Sequence, residues 1–201
     1  MNTVAFSQRD ERWATDKLGT SSLTLGEAGC LVSAVAALLA SQGVDTDPGR
    51  LNAWLTANNG YVSGNLFVYA AVERLGCRFH ELIRCYQAPA PVARLRDALG
   101  GGAEVLVCVD WTPGGKFQQH WVWLTELGER SGHVMDPWQM PGYEWVGLDR
   151  YLAQGWSPAR GIYAAAIYGF SGFSDAVLER YAGERRDPEF QDAVGQSWDG
   201  E

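Results

Sequence analysis

The chain has 201 residues, 46% of them hydrophobic, and a formal net charge of −8. That length suits one domain, since a single core serves chains of up to roughly 250 residues, and the apolar fraction excludes wholesale disorder. The negative charge and the scattered Lys and Arg exclude nucleic acid and anionic membrane as main partners, because phosphate binding needs clustered cations.

The first 28 residues read as irregular, with a hairpin around 18–25. MNTVAFSQRDERW contains no apolar stretch of signal-peptide length. The longest apolar run, 31–40, is about half of a membrane span. The expectation is a soluble chain without membrane insertion, cytoplasmic or delivered by a phage or host. Leu31, Val35, Leu38 and Leu39 fall on one stripe of a helix, and Gly43 stops it. Asp47 followed by Pro48 is an N-cap with a proline in the first turn, so a second helix runs to Ala57. NNGY is a turn. Ser63 or Asn65 caps a third helix that carries Leu66, Ala70, Val72 and Leu75 and ends at Gly76.

The second half changes character. Residues 78–85 read as a strand and 91–99 as a short helix closed by three glycines. Segments 104–111, 120–126, 133–136, 144–146 and 161–168 are rich in Val, Ile, Trp or Tyr and bounded by Gly or Pro, which marks strands. Residues 148–154 read as one or two helical turns. Helices first and an antiparallel sheet second make an α+β arrangement. A short helix is expected over 174–182, then an acidic, loose tail. The division is a domain over 1–170 and a C-terminal segment over 171–201.

Four cysteines, none in a CxxC pair, do not make a disulfide scaffold. Cys30 differs from the other three by opening the first long helix, where backbone N–H groups and the dipole stabilise a thiolate. Gly29 before it removes a side chain that would hinder approach to the sulfur. The bland alternative is a small buried residue at a helix start. Cys77, Cys85 and Cys108 read as structural.

A nucleophilic cysteine needs a base, and the base needs a group to orient it. Of three histidines, His120 opens a strand just after the Gly-rich loop 112–119. His80 lies mid-strand. His133 is three residues from Asp136, so strand alternation sends the two to opposite faces. Asp136 precedes a proline and therefore closes its strand. From there it can accept from His120 Nδ1–H and leave Nε2 to face Cys30. Asp110 is a weaker substitute. An oxyanion hole calls for the Cys30 N–H and a side-chain amide, for which Gln8 is the candidate. Trp121 and Trp138 flank the proposed histidine and aspartate as candidate cleft walls, open to a peptide or a sugar ring. DTDPG lacks the acid that a calcium loop needs at its twelfth position. Cys77 and His80 have no second ligand pair for zinc.

SQRDERWATDKLG, GEAGCLVSAVAALLASQG, DPGRLNAWLTANNGY, QHWVWLTEL and GHVMDPW together resemble the papain-like cysteine peptidases related to the double-glycine leader peptidases of bacteriocin exporters, and more closely their stand-alone branch. The resemblance spans about residues 4–168. It implies a papain-like fold, with N-terminal helices packed on a C-terminal antiparallel sheet, in a bacterial or phage setting. It also implies Cys30 as nucleophile, His120 as base, Asp136 as orienting acid and Gln8 as oxyanion donor. The exporter peptidases place the glutamine a few residues before the cysteine, whereas here positions 8 and 30 are 22 apart. The expected activity is hydrolysis of a peptide or amide bond, with a peptide or peptidoglycan-type substrate and no metal or organic cofactor. Acyl transfer by the same groups is a variant. The rival class is a non-catalytic binding or structural module of a phage or cell-surface assembly.

Overall fold

The run CLVSAVAALLAS contains no proline or glycine and is rich in Ala and Leu, strong helix formers. In the computed structural model, which describes residues 3–170, it forms helix α2 (Cys30–Ser41). Its spacing suggests one buried stripe. Instead residues 32–39 are all buried, because the helix is covered on one side by helix α3 (Pro48–Ala57) and on another by the sheet. The small Ser33, Ala34, Ala36 and Ala37 permit that close approach. Helix α3 starts as the sequence suggests: Asp47 accepts from the Arg50 N–H at 2.9 Å, and Pro48 occupies the first turn.

Ahead of Cys30 the chain forms a short helix, α1 (Leu25–Ala28), that was not expected. Its signal was present in TLGE: Thr24 and Glu27 make a capping box, each side chain bonding the other's backbone N–H. Gly29 is the corner between α1 and α2. A Cβ there would lie 2.5 Å from the Leu25 carbonyl oxygen and 2.7 Å from Leu25 Cδ2. The glycine is thus required by the packing of the corner itself, which replaces the expectation that it merely clears a path to the sulfur.

The expected third helix is only partly formed. Ser63 and Gly64 take positive φ, 49° and 92°, and turn a small hairpin of β1 (Tyr61–Val62) and β2 (Leu66–Phe67). A 3-10 helix then spans Tyr69–Leu75 and ends at Gly76, whose φ is 93°. Ser63 and Asn65 therefore belong to a turn and not to a cap.

The remaining strands are β3 (Cys77–Arg84), β4 (Glu104–Asp110), β5 (Gln119–Leu127), β6 (Gly132–Met135), β7 (Trp145–Gly147) and β8 (Ile162–Phe170). They build one six-stranded antiparallel sheet in the order β3-β8-β4-β5-β6-β7. The fold is α+β. Both faces of the sheet are covered. Leu106, Cys108, Trp121, Trp123 and Ala166 meet α2 and α3 in one core. Val105, Val107, Val122, Leu124 and Ile167 meet helix α4 (Val92–Gly100), with Leu148 and Tyr151 of a 3-10 helix (Leu148–Tyr151), in a second. Neighbours of opposite parity take opposite faces, as strand geometry dictates. A four-residue helix α5 (Pro158–Gly161), also unforeseen, leads into β8. Among the described residues no helix is long and apolar enough to cross a membrane. The helix expected over 174–182 and the acidic tail lie outside the described residues.

Candidate active site

Cys30 is the first residue of α2, and the start of that helix is carried to the end of the sheet where β5 begins. The N-cap, Gly29, offers no side-chain oxygen to the first-turn N–H groups, which leaves their positive field for whatever sits beside them. Cys30 is half-buried, whereas Cys77, Cys85 and Cys108 are buried. None of the four is in a disulfide.

His120 has the strand parity of Val122 and Leu124, and its ring lies against Trp111 at 5.0 Å and Tyr151 at 5.6 Å, on the second-core side. As the second residue of β5 it stands at the sheet's end, where its imidazole neighbours Cys30 closely enough for each side chain to shift the other's titration. Nε2 is 2.7 Å from Asp136 Oδ1, and Nδ1 is the ring nitrogen left to serve the sulfur.

The expected assignment of the two nitrogens is thereby reversed. The register explains it. Trp123 pairs with Met135, so Asp136 lies opposite a point two residues along from His120, and only the far nitrogen of the ring spans that gap. The sulfur lies by the backbone N–H of Trp121, the residue after His120, and so sits toward the ring's base, on the side of the near nitrogen.

Asp136 is fully buried and directly follows β6. Its own N–H donates to the Glu144 carbonyl at 2.7 Å. Its Oδ1 also accepts from the Trp138 N–H at 2.9 Å. Its Oδ2 accepts from Gln139 Nε2 and from the Tyr151 hydroxyl.

These contacts set the protonation of the group. Burial pushes His120 down, but the bonds to Asp136 and Cys30 more than offset it and raise it to about 9. Burial pushes Asp136 up, and the bonds from His120, Tyr151 and Gln139 bring it below the usual carboxylate value. Burial pushes the Cys30 thiol up, but the bond and charge of His120, with the Trp121 and Leu31 N–H groups, hold it below its ordinary value. Cys77 and Cys108, with no such partner, are raised by burial to about 12. The arrangement favours a thiolate beside an imidazolium, with a carboxylate behind the ring.

Gln8 is buried and reaches the segment just before Cys30. Its Nε2 donates to the Gly26 carbonyl at 2.9 Å and, at 3.4 Å, to that of Leu25. Its Oε1 has no hydrogen-bond partner among the described residues. Its backbone N–H donates to the Pro137 carbonyl at 2.7 Å, which straps the N-terminal segment across the turn after Asp136. Arg9 extends the strap, its guanidinium 5.0 Å from the ring of half-buried Trp138. Trp138 in turn packs edge-on against Trp111 at 4.9 Å. Trp121 is buried, with its ring tilted against that of Tyr69 at 5.9 Å, so it is chiefly a core residue.

The other candidates fall away from the cysteine. His133 is exposed, 3.4 Å from Glu126. His80 is on β3, three strand positions from β5, about 14 Å at ordinary strand spacing. Asp110 Oδ1 accepts from the Thr112 and Gln118 N–H groups at 3.1 and 3.0 Å and ties off the Gly-rich loop. Tyr151 and Gln139, which hold Asp136, were missed. Nothing local in their sequence marks them, since their role depends on where the turn after β6 meets the 3-10 helix. Among the described residues no cluster of three or more His, Cys, Asp or Glu is placed to hold a metal ion.

No protein-family model matches the chain, and no curated protein matches it.

Proposed function

We propose that this protein is a cysteine-dependent hydrolase of peptide or amide bonds, with a papain-like fold similar to that of the stand-alone bacteriocin-peptidase-like branch. The observation that carries the reading is the continuous contact from Cys30 through His120 to Asp136. It joins residues distant in sequence, and Cys30 is the one cysteine of the four that is not fully buried. A buried His-Asp pair has little reason to terminate on a thiol unless the thiol reacts.

In this reading the Cys30 thiolate attacks the carbonyl carbon of the scissile bond and the oxygen becomes an oxyanion. The Cys30 backbone N–H is one donor to it. Gln8 supplies the other. Its longer bond, to Leu25, is the dispensable one, because that carbonyl already accepts the Gly29 N–H at 2.8 Å. Turning the amide breaks nothing at Oε1, which has no partner among the described residues. The His120 imidazolium protonates the leaving amine as the C–N bond breaks, and a thioester remains on Cys30. His120, now neutral, takes a proton from water. The resulting hydroxide displaces the thiolate and releases the acid.

The test is alkylation by iodoacetamide at pH 6, mapped by mass spectrometry, together with hydrolysis of a peptide library. Cys30 reacts faster than the other thiols by on the order of 100-fold, and Cys30→Ala abolishes both the fast labelling and the hydrolysis. Slow, equal labelling of all four thiols contradicts the reading and favours a binding module.

A further inference from the structure

Asp136 has all four acceptor positions of a carboxylate filled, two at each oxygen. Only one of the four donors, His120, belongs to the proposed reaction. The Trp138 N–H is a local turn bond. The remaining two converge on Oδ2 from different elements: the Gln139 side chain from the turn after β6, and the Tyr151 hydroxyl from the 3-10 helix 15 residues away. Tyr151 is 1% exposed, and its ring is also 6.3 Å from that of Trp111. Its hydroxyl donates to the carboxylate, and the Gln139 side chain lies beside it.

We infer that Tyr151, with Gln139, is a positioning residue for the site: the two fix the plane of the Asp136 carboxylate through Oδ2, so that Oδ1 is presented to His120 Nε2. This rests on the proposed function, in which His120 must keep its proton for the leaving amine. A carboxylate held at one oxygen only can turn about its own axis, and each turn lengthens the bond to the imidazole. With Oδ2 gripped from two elements, rotation must break two hydrogen bonds at a fully buried carboxylate, each worth about 1 kcal/mol or more. The charged and titratable groups facing this cluster are few. Cys30 approaches from α2, Arg150 lies beside Tyr151 on the 3-10 helix, and Arg9 lies over Trp138. Cys108 and Tyr69, both neutral, lie near Cys30. None of these replaces the two donors at Oδ2.

The experiment is an NMR titration of the His120 imidazole in the full chain, for the wild type, Tyr151→Phe, Gln139→Ala and the double variant. Phenylalanine keeps the ring against His120 and Trp111 and removes only the hydroxyl. Each single variant lowers the His120 midpoint by about half a unit to one unit, and the double variant lowers it by more than the sum, because either donor alone still resists rotation. A purely structural role lowers the unfolding midpoint and leaves the titration where it was, which overturns the inference. A rise in the midpoint overturns it too, since it shows that the donors only drain charge from the carboxylate. Gln139 is half-buried, so its variant carries the test where Tyr151→Phe does not fold. A wild-type His120 that titrates near 6.5, with a slow Cys30, refutes the proposed function instead. A wild type with a high midpoint and unmoved variants refutes only the positioning role.

Discussion

Replacing Asp136 by asparagine removes one charge and keeps the shape. The amide oxygen can still accept from His120 Nε2, now at 2.7 Å, and from the Trp138 N–H, now at 2.9 Å. The amide nitrogen then faces two donors, Gln139 Nε2 and the Tyr151 hydroxyl. Gln139 must present its oxygen instead, and the hydroxyl must rotate to accept. The fold survives at a cost of about 1–3 kcal/mol. The imidazolium loses more than geometry. A bond to a charged acceptor exceeds one to a neutral acceptor by about 1 kcal/mol. Two unit charges about 4 Å apart at an effective dielectric of 20 attract by about 4 kcal/mol. With about 1.4 kcal/mol to each pKa unit, these bounds lower His120 by about one to three units from its value of about 9. The measurement is an NMR titration of the imidazole resonances. The chain has three histidines, of which His133 is exposed beside Glu126 and His80 lies on β3, so single His→Gln variants complete the assignment. A folded Asp136→Asn protein whose His120 titrates within a few tenths of a unit of the wild type refutes the claim that the carboxylate holds the imidazolium.

Two further predictions concern the other ends of the site. In the proposed resting state near pH 7–8 the Cys30–His120 pair carries one proton, on the imidazole; unfolded, it also carries one, on the sulfur, because the ordinary values are about 6.5 and 8.5. Equal proton counts make the pair's contribution to stability level across that range. Cys30→Ala removes the sulfur's half. His120, no longer raised by the sulfur but still by Asp136, then contributes stability that is complete below about 6.5 and lost as pH rises through its lower folded value in the variant, so the urea midpoint of the variant falls with pH while the wild-type midpoint stays level; parallel curves contradict the ion pair. Gln8→Ala lowers kcat on any cleaved peptide by about 10²–10³-fold while Cys30 alkylates at the wild-type rate. Undiminished turnover shows that the glutamine only braces the Leu25 and Gly26 carbonyls.

Much of the frame was legible because its signals are local. Asp47-Pro48 places a cap whatever surrounds it, and Gly76 ends its helix through a backbone that only glycine adopts readily. The run after Cys30 is a helix by composition, although its burial on every side depends on a second layer that no periodicity reports. The third helix does not start at Ser63 because Ser63 and Gly64 turn a hairpin, and a serine before an apolar run looks the same in a cap and in a turn. At the site, residue chemistry singled out Cys30, His120, Asp136 and Gln8, and the chain brings them to one end of the sheet. Which imidazole nitrogen faces which partner was not legible, since it follows from a two-residue offset between β5 and β6. Tyr151 was not legible for a related reason: its hydroxyl matters through one contact made 15 residues away in sequence, inside a segment whose pattern reads only as a helical turn.

The central claim is that Cys30 is a thiolate by virtue of its neighbours, and the most direct measurement is its alkylation rate as a function of pH in the wild type and in His120→Ala. The account predicts fast labelling of Cys30 from pH 6 upward, with Cys77, Cys85 and Cys108 slow, and a His120→Ala curve displaced to higher pH, toward and past the ordinary thiol value. A wild-type curve that rises only above pH 8, or one that His120→Ala leaves in place, contradicts it.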